Sequence, residues 1–182
     1  MPRFSANLSL LFTELPLLER FRAARECGFQ GVEIQFPYDT PAANIKAQID
    51  LTGLELVLFN VPAGDLMNGG EGLAAVSSKR RDFLDAVIKA TEYADILRPK
   101  FINVLPGCCF ETYRLDQYME TFKSNLDHAA DVFFENGIKT VFEAVNTKDM
   151  PGFLIHNSEQ MIQVLEDLNH SNIYLQYDIY HM

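Results

Sequence analysis

Thr140-Val141-Phe142-Glu143-Ala144-Val145 is a short apolar run interrupted by one carboxylate. It is too brief for a typical buried helix and rich in β-branched and aromatic residues, which predicts a strand that is apolar on both faces. Five further runs of this kind recur, at Phe4–Leu10, Val32–Phe36, Leu54–Asn60, Phe101–Leu105 and Ile173–Tyr177. Between them, Leu17–Cys27, Pro41–Leu51, Ser78–Leu97, Leu115–Glu135 and Ser158–Leu168 carry apolar residues at helical spacing. Cys27-Gly28 and Asn136-Gly137 supply a glycine where a left-handed residue ends a helix. Asp39-Thr40-Pro41, and Asn157 or Ser158 ahead of Glu159, supply helix starts.

Strands and helices therefore alternate strictly, in about six βα units of a parallel α/β sheet. A doubly wound open sheet and a (β/α)8 barrel both fit that alternation. The first βα turn, Ser9-Leu10-Leu11-Phe12-Thr13, lacks the glycine fingerprint of a dinucleotide-binding sheet. A stronger discriminator is the placement of polar residues. Asn7, Glu33, Asn60, Asn103, Glu143 and Asp178 each interrupt or end a different strand, where a barrel would gather them at its C-terminal mouth. Burying such groups costs a few kcal/mol each unless they are paired or bind something. The expected architecture is a TIM-barrel type, incomplete, forming a single domain over residues 1–182.

Composition narrows the partners. In 182 residues, 48% apolar content is enough for one core, and scattered prolines and glycines leave no linker-dominated region. Fifteen basic against twenty-five acidic side chains give a net charge of −10, which repels phosphate backbones and anionic membranes. No nucleic-acid or membrane partner is expected. Cys27, Cys108 and Cys109 form neither a CxxC pair nor an even set, so a reducing, cytoplasmic setting is expected. No apolar run approaches the roughly 20 residues that cross a bilayer. The glycine-rich stretch Gly64–Gly72 reads as a mobile connection that could close over a mouth, and Cys108-Cys109 offers no readable activated thiol.

Glu143 and Asp178 stand on consecutive strands among apolar neighbours. Two carboxylates so placed either need a cation, with oxygen ligands suited to Mg²⁺ or Mn²⁺, or are protonated or salt-bridged core acids. His181 follows Asp178 by three residues, at the handover from strand to loop, where it could meet substrate or metal. His128, His156 and His170 read as ordinary helix and loop residues.

Four segments then carry a resemblance. Arg3-Phe4-Ser5-Ala6-Asn7-Leu8-Ser9, Gly28-Phe29-Gln30-Gly31-Val32-Glu33, Asn60-Val61-Pro62-Ala63-Gly64-Asp65 and Gln176-Tyr177-Asp178-Ile179-Tyr180-His181-Met182 together resemble the hydroxypyruvate isomerase family of xylose-isomerase-like barrels. The second segment is shared across that superfamily, which includes sugar epimerases and apurinic endonucleases; the last two are more specific. The resemblance implies interconversion of hydroxypyruvate and tartronate semialdehyde, with a divalent metal on adjacent substrate oxygens and paired glutamates moving a proton through an enediolate. It implies Glu143 as metal ligand and acid/base, Asp178 as a second ligand, His181 as a substrate contact, and Asn60 and Asp149 at the pocket rim. Family members continue through a seventh strand with a third ligand and an eighth with the second glutamate. The expectation is therefore a truncated barrel with impaired activity and self-association through its open sheet edges. The alternatives are a non-catalytic barrel fragment and a related sugar isomerase or epimerase.

Overall fold

A computed structural model describes residues 3–182. Its order of elements is β1 (Ser5–Asn7), α1 (Leu17–Glu26), β2 (Gly31–Ile34), α2 (Ala42–Thr52), β3 (Glu55–Asn60), α3 (Arg80–Leu97), β4 (Phe101–Asn103), α4 (Leu115–Glu135), β5 (Lys139–Glu143), α5 (Ser158–Leu168) and β6 (Ile173–Gln176). All six strands pair in parallel, in sequential order from β1 to β6. Each crossover thus steps one strand the same way, and right-handed crossovers put every helix on one face of the sheet. Among the described residues the result is five consecutive βα units of barrel type and a sixth strand, where the sequence led to an expectation of about six units.

Every expected element is present, but most strands are shorter than the apolar runs. Phe4–Leu10 contracts to three residues, and Phe101–Leu105 likewise, because the chain turns into mouth loops once it passes Asn7 and Asn103. At β1 the reason is local: Asn7 Oδ1 accepts from the Ser9 backbone N–H at 2.9 Å, and Leu10 and Leu11 N–H bond back to the Asn7 carbonyl. Pro41 stands just before α2, and the Asn157 side chain caps α5 by accepting from Gln160 N–H at 2.9 Å. The main core lies between sheet and helices, where Phe21, Phe59, Phe83, Phe122, Phe133 and Phe142 are fully buried.

A second, smaller apolar cluster of Leu66, Cys108, Val145 and Phe153 joins the connections that follow β3, β4 and β5. This corrects the reading of Gly64–Gly72 as a mobile connection. Asp65, though exposed, folds back across the loop to accept from Gly72 N–H at 2.9 Å and from Lys79 Nζ at 2.8 Å. Tyr118 donates its hydroxyl to Glu71 Oε1 at 2.5 Å, and Cys108 N–H reaches the Glu71 carbonyl at 3.0 Å. The two acidic residues of the glycine-rich stretch, Asp65 and Glu71, are the ones that fasten it. Gly107 makes the fit possible, because with φ +88° a Cβ there would lie 2.3 Å from the Glu71 carbonyl oxygen. Gly107→Ala is expected to cost about 2 kcal/mol or more in urea denaturation. A loss under about 0.5 kcal/mol would show that the two loops yield without strain.

Candidate active site

The strand register brings the predicted polar residues to one end of the sheet. Asn7 pairs in register with Glu33, Asn60 with Asn103, and Glu143 with Gln176. Asp178 lies two residues beyond the end of β6, not inside the strand, and His181 sits in the turn that follows it. One ligand atom from each of Glu143, Asp178 and His181 lies within 4.8 Å of the others. Glu143 is buried, whereas the other two are half-buried.

Glu143 is held on both oxygens. Asn103 Nδ2 donates to Oε1 at 2.7 Å and Gln176 Nε2 donates to Oε2 at 3.1 Å, from the strands on either side of β5. The same Asn103 nitrogen reaches Asn60 Oδ1 at 3.1 Å, so Asn60 meets the carboxylate only through Asn103. Burial pushes the Glu143 carboxyl up to about 7; the Asn103 hydrogen bond opposes this, and the charges of Asp178 and Glu33 add to it. Asn103 Oδ1 and Gln176 Oε1 are buried without a partner, so the site holds acceptor capacity that the chain itself does not use.

Glu33 lines a concavity of about 950 Å³ whose walls also include Val57, Phe101, Lys139, Tyr174, Gln176 and Asp178. Asn7 Nδ2 donates to its Oε1 at 2.5 Å. Burial raises its pKa, the Asp178 charge raises it further, and the Asn7 bond lowers it. Glu33 was legible as a mouth residue but carried no assigned role. Asp149 is exposed and accepts from Asn146 Nδ2 at 3.0 Å, which puts it beside the cluster's outer edge. The Cys108 thiol is pushed up to about 11 by burial and by Glu71, so it is protonated near neutral pH.

Gln176 and Asn146 are the site residues that the sequence reading passed over. Gln176 was within reach: alternation along β6 puts it on the same side as Asp178, two residues on. Asn146 carried no such signal, since its importance depends on a contact with His181, thirty-five positions away.

The model of the xylose isomerase-like TIM barrel matches residues 21–182. The chain belongs to the xylose isomerase-like TIM barrel family. Hydroxypyruvate isomerase of Escherichia coli (strain K12) is 40% identical over 182 residues, an alignment that covers 100% of this chain and 70% of that protein. The 2-oxo-tetronate isomerase of Haemophilus influenzae is 36% identical over 181 residues, again across 100% of this chain and 70% of the relative. Among solved structures, one from Brucella melitensis described as an AP endonuclease of family 2 superposes with a TM-score of 0.94 at 40% identity, covering 100% of this chain and 70% of that one. The family's isomerase members thus set the enzyme class of this chain, and the six parallel strands form the corresponding part of the barrel. No helix among the described residues is long and apolar enough to cross a membrane.

Proposed function

We propose that the chain catalyses an aldose–ketose type isomerisation of small hydroxy-carbonyl acids, interconverting hydroxypyruvate and tartronate semialdehyde. The observation that carries this reading is the convergence of Glu143, Asp178 and His181 at the C-terminal mouth. Glu33 and Asp178 line the concavity and their charges reach Glu143, so an anionic substrate is repelled at this end of the sheet unless a cation offsets the three carboxylates. Glu143 and Asp178 offer the hard oxygen donors that Mg²⁺ or Mn²⁺ prefers, and the unpartnered Gln176 Oε1 adds a further buried acceptor beside them. When bound, such an ion would stabilise negative charge developing on substrate oxygens.

The chain's own groups account for the proton transfer. Each Glu143 oxygen spends one lone pair on an amide N–H and keeps another, so the carboxylate is oriented without being silenced. Burial raises this carboxyl to about 7 in the metal-free chain, and a bound cation would favour its ionised form, the one that takes up the first proton as a base. Asn60 serves by orienting Asn103, His181 contacts substrate, and Asp149 supports the rim. The identity to 2-oxo-tetronate isomerases favours a second reading, in which a four-carbon acid occupies the same site. Phosphate backbones are poor partners for a mouth this acidic on a chain of net charge −10.

With Mn²⁺ or Mg²⁺ present, the purified chain is expected to convert hydroxypyruvate in a time course that a chelator stops and added metal restores. Parallel assays of both acids rank the two readings by kcat/KM. A folded chain that binds neither Mn²⁺ in calorimetry nor hydroxypyruvate overturns them and favours a non-catalytic module. The outer edges of β1 and β6 and the exposed Phe4, Tyr177 and Ile179 support self-association, which sedimentation would show as a concentration-dependent shift away from monomer.

A further inference from the structure

Asn146 opens the connection from β5 to α5 with its side chain folded onto its own backbone. Its Oδ1 accepts from the backbone N–H groups of Lys148 and Asp149, both at 3.0 Å. This Asx turn identifies the two ends of the amide, because an NH₂ at that position would face two donors. The other end, Nδ2, donates to Asp149 Oδ2 at 3.0 Å and lies 2.9 Å from Nδ1 of His181. The Asn146 backbone N–H is directed at the same ring nitrogen, at 3.5 Å.

A ring nitrogen faced by two N–H donors has to present its lone pair. In the neutral imidazole the hydrogen then belongs on Nε2. Asp178 Oδ2 stands 3.8 Å from Nε2, beyond hydrogen-bond distance, and no described residue accepts from it more closely. His181 therefore holds an unspent N–H on the side of Asp178, next to the carboxylate cluster, while Nδ1 is fully engaged. Neither nitrogen is left with a lone pair for a cation, although the ring lies among the carboxylates.

We propose that Asn146 is a positioning residue that fixes His181 as the Nε2–H tautomer, making it a hydrogen-bond donor to an oxygen of the bound acid and not a metal ligand. Asp149 acts one step further back, by holding the Asn146 amide. The substrate half of this statement rests on the isomerase reading above; the tautomer half does not.

Long-range ¹H–¹⁵N correlation spectra of the ¹⁵N-labelled, metal-free chain at pH 8 test it, with the His181 ring assigned by its loss in His181→Gln. The wild type is expected to show a protonated Nε2 and a bare Nδ1. Asn146→Asp keeps an oxygen for the Asx turn but turns an acceptor toward Nδ1, and the expected result is reversal to the Nδ1–H form. Asn146→Ala should give a mixture. In the presence of Mg²⁺, Asn146→Asp should weaken hydroxypyruvate binding about tenfold. A wild-type ring protonated on Nδ1, or a tautomer unmoved by Asn146→Asp, overturns the lock. A reversed tautomer with unchanged affinity overturns the donor role. A wild type that binds no hydroxypyruvate removes the isomerase reading, and the spectra still decide the role of Asn146.

Discussion

Glu143→Gln is expected to lower the isomerisation rate by between about 10² and 10⁴-fold at saturating Mn²⁺ while leaving the fold intact. The substitution keeps shape and volume but removes the group that gains and loses a proton. Its structural cost is small for a reason visible around the site. A glutamine at this position presents one NH₂ to a shell that now donates on both sides, from Asn103 and from Gln176. Gln176 Oε1 is an unpartnered acceptor and its Nε2 bonds only Glu143, so turning the Gln176 amide over supplies the missing partner, while Asn103 stays held by Asn60. Thermal melts of the metal-free chain should therefore stay close to wild type below about pH 4.5, where the wild-type carboxyl keeps its proton in both folded and unfolded states. Metal affinity should fall as well, since one of two anionic ligands is gone, which is why the rate has to be read at saturating metal. Stopped or steady-state assays against hydroxypyruvate measure the loss. A fall of tenfold or less would remove Glu143 as the proton carrier and leave it a ligand alone.

The chain order of elements was legible because two periods alternate cleanly, and because a parallel sheet buried on both faces leaves near-continuous apolar runs such as Thr140–Val145. Of the mouth residues, Glu143 stood out as a charge inside an apolar strand, which has to be paired, protonated or bound to a cation, and Asp178 as the charge that ends the next apolar run. What could not be read was how side chains beyond the strands close on one another. Gly64–Gly72 reads as a mobile connection in sequence, yet its Asp65 and Glu71 are bonded to Gly72, Lys79 and Tyr118. The resemblance puts Asp149 at the pocket rim, but its hydrogen bond from Asn146 shows in no sequence period. These pairings arise from loop packing over distances that periodicity does not encode. Gln176 is the intermediate case, since alternation gave its face while only the register with Glu143 gives its contact.

The same buried acid makes stability depend on pH in the metal-free chain, with the opposite sign to a surface carboxylate. The Glu143 carboxyl rises from an ordinary 4.5 to about 7 chiefly because burial disfavours its charged form. Its folded value exceeds its unfolded one, so below about pH 4.5 both states hold the proton and nothing is lost. Between about 4.5 and 7 the folded state binds more protons than the unfolded state, and stability falls as pH rises. Above about 7 the loss is complete, at about 3 kcal/mol for a shift of this size. Urea denaturation of wild type minus Glu143→Gln isolates this contribution from other titrating groups, and the difference should decline across that window in the presence of chelator. Excess Mn²⁺ should abolish the decline, because a dication favours the ionised carboxylate that burial penalises. It should also raise stability by about 2.7 kcal/mol at a hundredfold excess over Kd. A wild-type curve that stays parallel to Glu143→Gln without metal would mean that solvent or a rearranged partner already stabilises the ionised form. The buried carboxylate would then create no demand for a cation, and the metal reading would lose its physical basis.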